Sequence, residues 1–279
     1  MVESAAGDLA RSAPIVFFHA HPDDEAIFTG GTIRLLADAG HDVIVVIATS
    51  GERGVADERT ADALGATRQI ESRTAADILG AHDVVFLGYG DSGVGIGPDG
   101  PHPHPASFAA ADPEHPGTAL ARIVTEVGAE ALVIYDPGGI YDHPDHVQAH
   151  RAGRAAHRRS GVRTCYEVTV DYEYLHFVET HLVEAAAESL PERADRRVGL
   201  PSVLIDVTVD VRTVLPQKRS AMLAHISQIP DGTFPEAHND TEFAAVYGYE
   251  WFVRHGEPGP IEQLPQPGGH QDGRTGSSG

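Results

Sequence analysis

A single cysteine, Cys165, stands among 279 residues, which excludes an intrachain disulfide and any zinc site built from clustered cysteines. Lysine is as scarce: Lys218 is alone, and arginine carries nearly all the positive charge. Basic residues are short overall, 20 against 41 acidic ones, for a formal net charge of −21. A field of that sign repels phosphate backbones and argues against a nucleic-acid binder. No run of about 18 apolar residues occurs, so no membrane-spanning helix is expected. The stretch Met1–Arg11 has no basic patch leading into an apolar run, so no secretory signal is expected. These absences point to a cytoplasmic protein with neither nucleic acid nor membrane as partner.

What is present is enough apolar residue, 41% of the chain, to bury one large core. Ala13–Ala20, Asp42–Thr49, Asp83–Leu87 and Ala131–Tyr135 are short runs rich in β-branched and aromatic residues. Helix-like segments separate them: Ala26–Ala39, Arg59–Leu79 and Thr118–Val127, with Gly40 and Gly80 as stops past the first two. Strands joined by helices of that length require right-handed crossovers and a parallel sheet. The fold class expected is α/β: a Rossmann-like, mostly parallel sheet with helices on both faces and a smaller C-terminal elaboration. In that elaboration Val147–Arg159 reads as a helix, Thr164–Val170 and Val203–Val209 as strands, Thr213–Ser227 as a helix, and Asp240–His255 as a last helix. The domain reading is a flexible leader over 1–12, one domain over 13–256, and a disordered tail over 257–279, which is rich in Pro, Gly, Gln and Ser. Residues 88–117, dense in Gly, Pro and His, are too long for an ordinary crossover and read as a wall over the ligand crevice, ahead of a passive insertion. The acidic stretch 171–200 has no assigned structure.

Two short motifs answer each other: His-Ala-His-Pro-Asp-Asp-Glu at 19–25 and Tyr-Asp-His-Pro-Asp-His at 141–146. Each puts His-Pro-Asp where a strand ends and a helix begins. A well-capped helix start explains proline at the first helical position and an acid in the first turn. It does not explain a histidine before paired aspartates, twice. His21 and Asp24 are three apart, as are His143 and His146, and that spacing in a first turn aims both groups toward the strand ends. Two imidazoles and one carboxylate, from His21, Asp24 and His146, compose a common catalytic zinc shell. Such an ion acidifies water and polarises a carbonyl. Asp23 is then the natural general base, and His143 an acid or oxyanion stabiliser whose ring Asp145 or another carboxylate orients. The parts are those of amide hydrolysis.

The segments FFHAHPDDEAIFTGG and YDPGGIYDHPDHVQAH resemble the PIG-L/LmbE-like family of metal-dependent N-acetylglucosaminyl deacetylases, and most of all its actinobacterial, mycothiol-pathway branch. The likeness continues through Arg68–Gly80, Asp91-Ser-Gly and Lys218–Gln228. The resemblance implies one divalent ion, zinc first and ferrous iron second, on His21, Asp24 and His146, with Asp23 as base. It implies that His143 serves the oxyanion or acts as acid with Asp145 in support, and that Tyr141 lies near the oxyanion. It implies that Arg68 and Asp91 hold sugar hydroxyls of an acetamido-sugar substrate, and it leaves room for a homo-oligomer. Thr49–Gly54 and residues 93–105 depart from the mycothiol branch, and both are expected to border the aglycone.

Other signals carry less. Gly88–Gly93 fits GxGxxG after a strand, but Val94-Gly-Ile-Gly-Pro cannot open the helix that dinucleotide binding needs. His102 and His104 alternate with prolines in an extended loop. His19 reads as a packed strand histidine, His150 and His157 as helix residues, and His225 as pocket edge or packing. Two alternatives to the deacetylase stand: a metallohydrolase for another amide or ester, and a catalytically inactive sugar- or metal-binding module.

Overall fold

A computed structural model describes residues 12–54, 60–93, 105–181, 198–229 and 239–268. Four parallel strands form its centre: β1 (Ser12–His19), β2 (His41–Thr49), β4 (Ala131–Tyr135) and β5 (Thr164–Thr169), with β3 (Asp83–Tyr89) parallel at one edge. Val43 through Thr49 and all of β4 are buried residue after residue. Burial on both faces is what an unbroken Val/Ile run encodes in a parallel sheet. Phe17 pairs in register with Val45 on one side and Val133 on the other.

The helices between are α1 (Asp24–Asp38), α2 (Ala61–Leu79), α3 (Glu114–Glu126) and α5 (Pro144–Ser160), with a one-turn α4 (Gly139–Asp142) before the last. Thr60 caps α2 by accepting from the Ala63 N–H at 3.3 Å, and Gly80 ends it at φ 77°. Beyond β5 come α6 (Tyr172–His181), β6 (Val207–Asp210), α7 (Leu215–Leu223), α8 (Asp240–Tyr247) and β7 (Tyr249–Gly256).

The strand order is β3-β2-β1-β4-β5-β7-β6. From β1 the chain winds outward through β2 to β3, then crosses to β4 and winds the other way. Right-handed crossovers in opposite directions place α1 and α2 on one face and α3 and α5 on the other; α7 packs with the first pair, and α3 with α5. The winding reverses between β1 and β4, so the crevice beyond their carboxyl ends is where such a sheet binds ligands. Both His-Pro-Asp turns leave those two strands.

The C-terminal elaboration differs from expectation. The helix expected over 240–255 stops at Tyr247, and Tyr249–Gly256 pairs antiparallel with both β5 and β6. Asn239 and Glu242 form a capping box, a strong helix start. The aromatic and β-branched Tyr249, Trp251, Phe252 and Val253 then take the open edge of β5. The strand expected over 203–209 begins only at Val207, after a 3₁₀ turn at Ser202–Leu204. The helix expected over 213–227 is α7 between two 3₁₀ turns, with Pro216 in its first turn. The stretch expected as a tail from 257 is built against the core as far as Leu264. Ile261 and Leu264 are buried there, and Tyr166 donates to Glu262. Within 88–117, Phe108 is buried and donates its N–H to Gly90 at 2.7 Å; the rest of the expected wall, 94–104 with His102 and His104, lies outside the described residues. So do 182–197, 1–11 and 269–279.

Candidate active site

The first turn leaves β1 through His21 and Pro22 and reaches Asp23 at φ 103°, a region non-glycine residues rarely enter. Such a conformation costs roughly 1–3 kcal/mol and persists only when its surroundings over-determine it. Here the Asp23 N–H donates to Glu25 Oε2 at 3.0 Å, its carbonyl accepts from Ala26 and Ile27, and Arg68 Nη2 donates to its carboxylate at 3.1 Å. The Asp23 side chain makes no cap bond. It is 25% exposed and ion-paired with Arg68.

The second turn is tighter. Asp136 accepts from the Ile140 N–H at 3.0 Å and from Thr169 Oγ at 2.6 Å, pinning the chain beyond β4. Gly139, Ile140 and Asp142 all have positive φ. A Cβ on Gly139 would lie 2.6 Å from that of His146, so the turn closes onto α5 only with glycine there. His143 caps α5, its Nδ1 accepting the Asp145 N–H at 3.2 Å. A neutral ring that accepts at Nδ1 carries its proton at Nε2.

Between the turns three donor atoms meet. His21 Nδ1 and His146 Nε2 are 3.3 Å apart, and each is 3.4 Å from Asp24 Oδ2. Ligands at about 2.0–2.1 Å from a tetrahedral ion stand roughly 3.3–3.4 Å from one another. The donor set and its spacing therefore fit a divalent ion. His143 also brings a ring nitrogen within 4.8 Å of His21 and His146, but its Nδ1 is engaged by Asp145. Asp24 is held in the charged form that a cation requires. Burial alone would raise its carboxyl, yet the facing His146 and His21 hold it well below the usual range.

Asp145 is placed differently from expectation. Its Oδ2 lies 3.1 Å from His21 Nε2 and accepts from the Ser92 N–H and Oγ at 2.9 and 2.7 Å. Burial works against this charge, but His21 and Ser92 bring the carboxyl down to about 2. The carboxylate thus accepts a hydrogen bond from the Nε2–H of His21 and leaves Nδ1 to face Asp24 and His146, an arrangement common around metal-binding histidines. It orients His21, not His143. Arg68 also departs: it is buried, giving Nη1 to the Gly51 carbonyl at 2.8 Å and Nη2 to the Pro22 carbonyl and Asp23. Nη2 serves the turn and Nη1 ties it to the loop after β2. Asp91 accepts from the Arg53 and Gly93 N–H groups at 3.1 and 2.8 Å and sits 3.7 Å from His21 Nε2.

Burial pushes the Asp23 carboxyl up, Arg68 pulls it back and Asp24 pushes again, leaving it at about 6. Burial and then the neighbouring His21 and His146 take the His143 ring down to about 3. The site thus holds a carboxyl raised to about 6 and a ring that stays neutral. Tyr141 stands over the histidines, its ring 4.9 Å from His146 and 6.0 Å from His143. His19 is packed, with Tyr135 and Thr29 on its two nitrogens. Sequence reasoning missed Glu25, which joins the Asp23 N–H to buried His225 at 2.7 Å. It missed Ser92 and Tyr135 as well. Glu25 lies inside the first motif, but its first-turn position reads equally as dipole compensation.

Residues 16–157 match the PIG-L family, described as GlcNAc-PI de-N-acetylase. The chain belongs to the PIG-L family. Among PIG-L relatives, a 1D-myo-inositol 2-acetamido-2-deoxy-alpha-D-glucopyranoside deacetylase of Kineococcus radiotolerans is 36% identical over 77% of this chain and 68% of its own. A protein of the same name from Rhodococcus opacus is 36% identical over 81% of this chain and 86% of its own. Among solved structures, the N,N'-diacetylchitobiose deacetylase of Pyrococcus horikoshii aligns over 88% of this chain and 84% of its own, with a TM-score of 0.59 and 20% identity, a likeness of fold. Among the described residues no helix is long and apolar enough to cross a membrane.

Proposed function

We propose that this PIG-L protein is a metal-dependent N-deacetylase that removes acetyl from a 2-acetamido-2-deoxyglucoside. One observation carries the reading: His21, Asp24 and His146 converge at 3.3–3.4 Å next to Asp23, whose carboxyl burial pushes up to about 6. The names of the curated relatives support the sugar, and make the inositol-linked N-acetylglucosaminide the first substrate to assay.

His21, Asp24 and His146 would hold a divalent ion, zinc before ferrous iron. When bound, such an ion supplies an acidified water and a Lewis acid for the acetyl oxygen. Asp23 takes the proton of the water that attacks the acetyl carbon. The Nε2–H of His143 donates to the oxygen that becomes negative, with the Tyr141 hydroxyl on the same side. The C–N bond then breaks, Asp23 returns its proton to the nitrogen, and acetate and a free amine leave. Asp145 keeps His21 in the tautomer that leaves Nδ1 open, and Arg68 holds Asp23 and its strained turn in place. In this role Arg68 acts through Asp23, not through sugar hydroxyls.

Asp23→Asn is expected to bind the ion and fold normally while kcat for amine release falls about 100-fold or more. Turnover near that of the parent would remove Asp23 as base. Dialysis against a chelator should abolish release and added zinc or ferrous iron restore it. Binding of the ion with no turnover on any acetamido sugar would favour the inactive module.

A further inference from the structure

Asp23 is held at two points. Arg68 of α2 takes its carboxylate at 3.1 Å. Its N–H donates at 3.0 Å to Oε2 of Glu25, a side chain with no exposed surface. Oε1 of the same carboxyl meets Nε2 of His225 at 2.7 Å, and that ring is 1% exposed. His225 lies just past α7 and opens the 3₁₀ turn Ile226–Gln228. That turn is itself fixed to α2, where Glu71 accepts from the Ser227 N–H and Oγ at 2.9 and 2.7 Å. A buried strut therefore runs from the end of α7, through His225 and Glu25, to the Asp23 backbone. The reaction as described does not use it.

We propose that His225 is a positioning residue for the general base, acting through Glu25 on the backbone of Asp23. This role presupposes Asp23 as the base proposed above.

A place in the first turn does not by itself account for Glu25. An acid that answers the helix dipole does so from the surface, whereas burying one is costly unless it is paired. Glu25 is buried and turns back along the chain, with one donor on each oxygen. The ring supplies its N–H from Nε2, whether neutral or charged. In the opposite arrangement Glu25 would donate to Nε2 and leave the ring proton on Nδ1. That nitrogen is buried without a partner among the described residues, and proteins leave a buried N–H unpaired less often than an acceptor. The direction of the Asp23 N–H is set by φ, which stands at 103°. Without its acceptor the strained peptide is free to relax, and the Cβ that carries the base turns with it. A misplacement of about 1 Å is enough to cost about 100-fold in rate. The candidate ligands beside it have a tie of their own, the His21 N–H donating to Asp24 Oδ2 at 2.8 Å. Loss of the strut should therefore reach the base and spare the ion.

The test compares the full-length parent with His225→Leu and His225→Gln. Amine release from the inositol-linked N-acetylglucosaminide gives kcat and KM, and chelator competition gives zinc affinity. Hydrogen exchange of the Asp23 amide is followed by NMR in zinc-free, nitrogen-15-labelled protein. His225→Leu should lower kcat about tenfold or more, with KM and zinc affinity within about twofold, and speed Asp23 exchange about tenfold. His225→Gln sets an N–H where Nε2 stood and should restore kcat and protection together. A merely structural role would lower the melting temperature of both variants and leave kcat of the folded protein unchanged. Should His225→Leu fail to fold, the parent still decides, since its ring should carry a proton on Nε2 and its Asp23 amide should be protected. Parental kcat and exchange in His225→Leu, an unprotected Asp23 amide in the parent, or a ring proton on Nδ1 alone each overturn the role of His225 while leaving the deacetylase standing. A parent that releases no amine, or an Asp23→Asn that turns over like it, overturns the base and this role together.

Discussion

Single positions do the most specific work at the second turn. Gly139 has φ 58° and no room for a Cβ beside His146. Gly139→Ala must either twist the turn or push α5 away, and both move His146 from Asp24. The expected result is a severalfold loss of zinc affinity and a larger loss of kcat, at a stability cost of about 1–3 kcal/mol. A variant with parental affinity and turnover would show that the turn tolerates the shift. At this scale the sequence is legible where a residue's role follows from its neighbours: His21, Asp23 and Asp24 follow directly on β1, and His143 and His146 lie at the start of α5. It is illegible where partners meet across more than a hundred residues. His21 and Asp145 are 124 apart, and His225 and Glu25 are 200 apart. No local pattern encodes such a pairing. Sequence alone therefore hands Asp145 to His143, two positions away, when the fold delivers its carboxylate to His21.

Elements are legible in proportion to how far burial dictates them. The parallel strands and their crossover helices announce themselves, because an unbroken apolar run has no other use in a domain of this size. The α8–β7 unit does not: its capping box signals a start, Gly248 is a weak stop, and Tyr249–His255 satisfies either reading until β5 offers an edge. What ties this late unit to the first helix is Glu250 on β7. It accepts from the Gly31 and Thr32 N–H groups of α1 at 2.8 Å and from Lys218 Nζ of α7 at 2.6 Å, with both charged side chains buried. Gly31 permits the closeness, since a Cβ there would strike Val211 at 2.4 Å. Removing one member of a buried pair strands the other charge. Lys218→Met should cost about 3–5 kcal/mol in urea unfolding, and Lys218→Met with Glu250→Gln distinctly less. Equal losses would mean that packing of the lysine stem, not its charge, holds the elements together.

For the whole molecule the governing quantity is its charge, 41 acidic residues against 20 basic. A negative field of this size acts differently on the two ends of the proposed reaction. The acetamide is neutral and approaches without feeling it. The amine product takes up a proton near neutral pH and leaves against an attraction. Salt shortens the reach of that attraction, from about 30 Å at 0.01 M to about 3 Å at 1 M. Product inhibition should therefore weaken as sodium chloride is raised, the inhibition constant for the free amine climbing severalfold between low and half-molar salt. KM for the acetamide should stay within about twofold, because no charge is brought in. Steady-state rates with added product at the two salt concentrations separate the cases. If KM moved in step with the inhibition constant, salt would be acting on the sugar contacts themselves, and the molecule's overall charge would have no part in releasing the product.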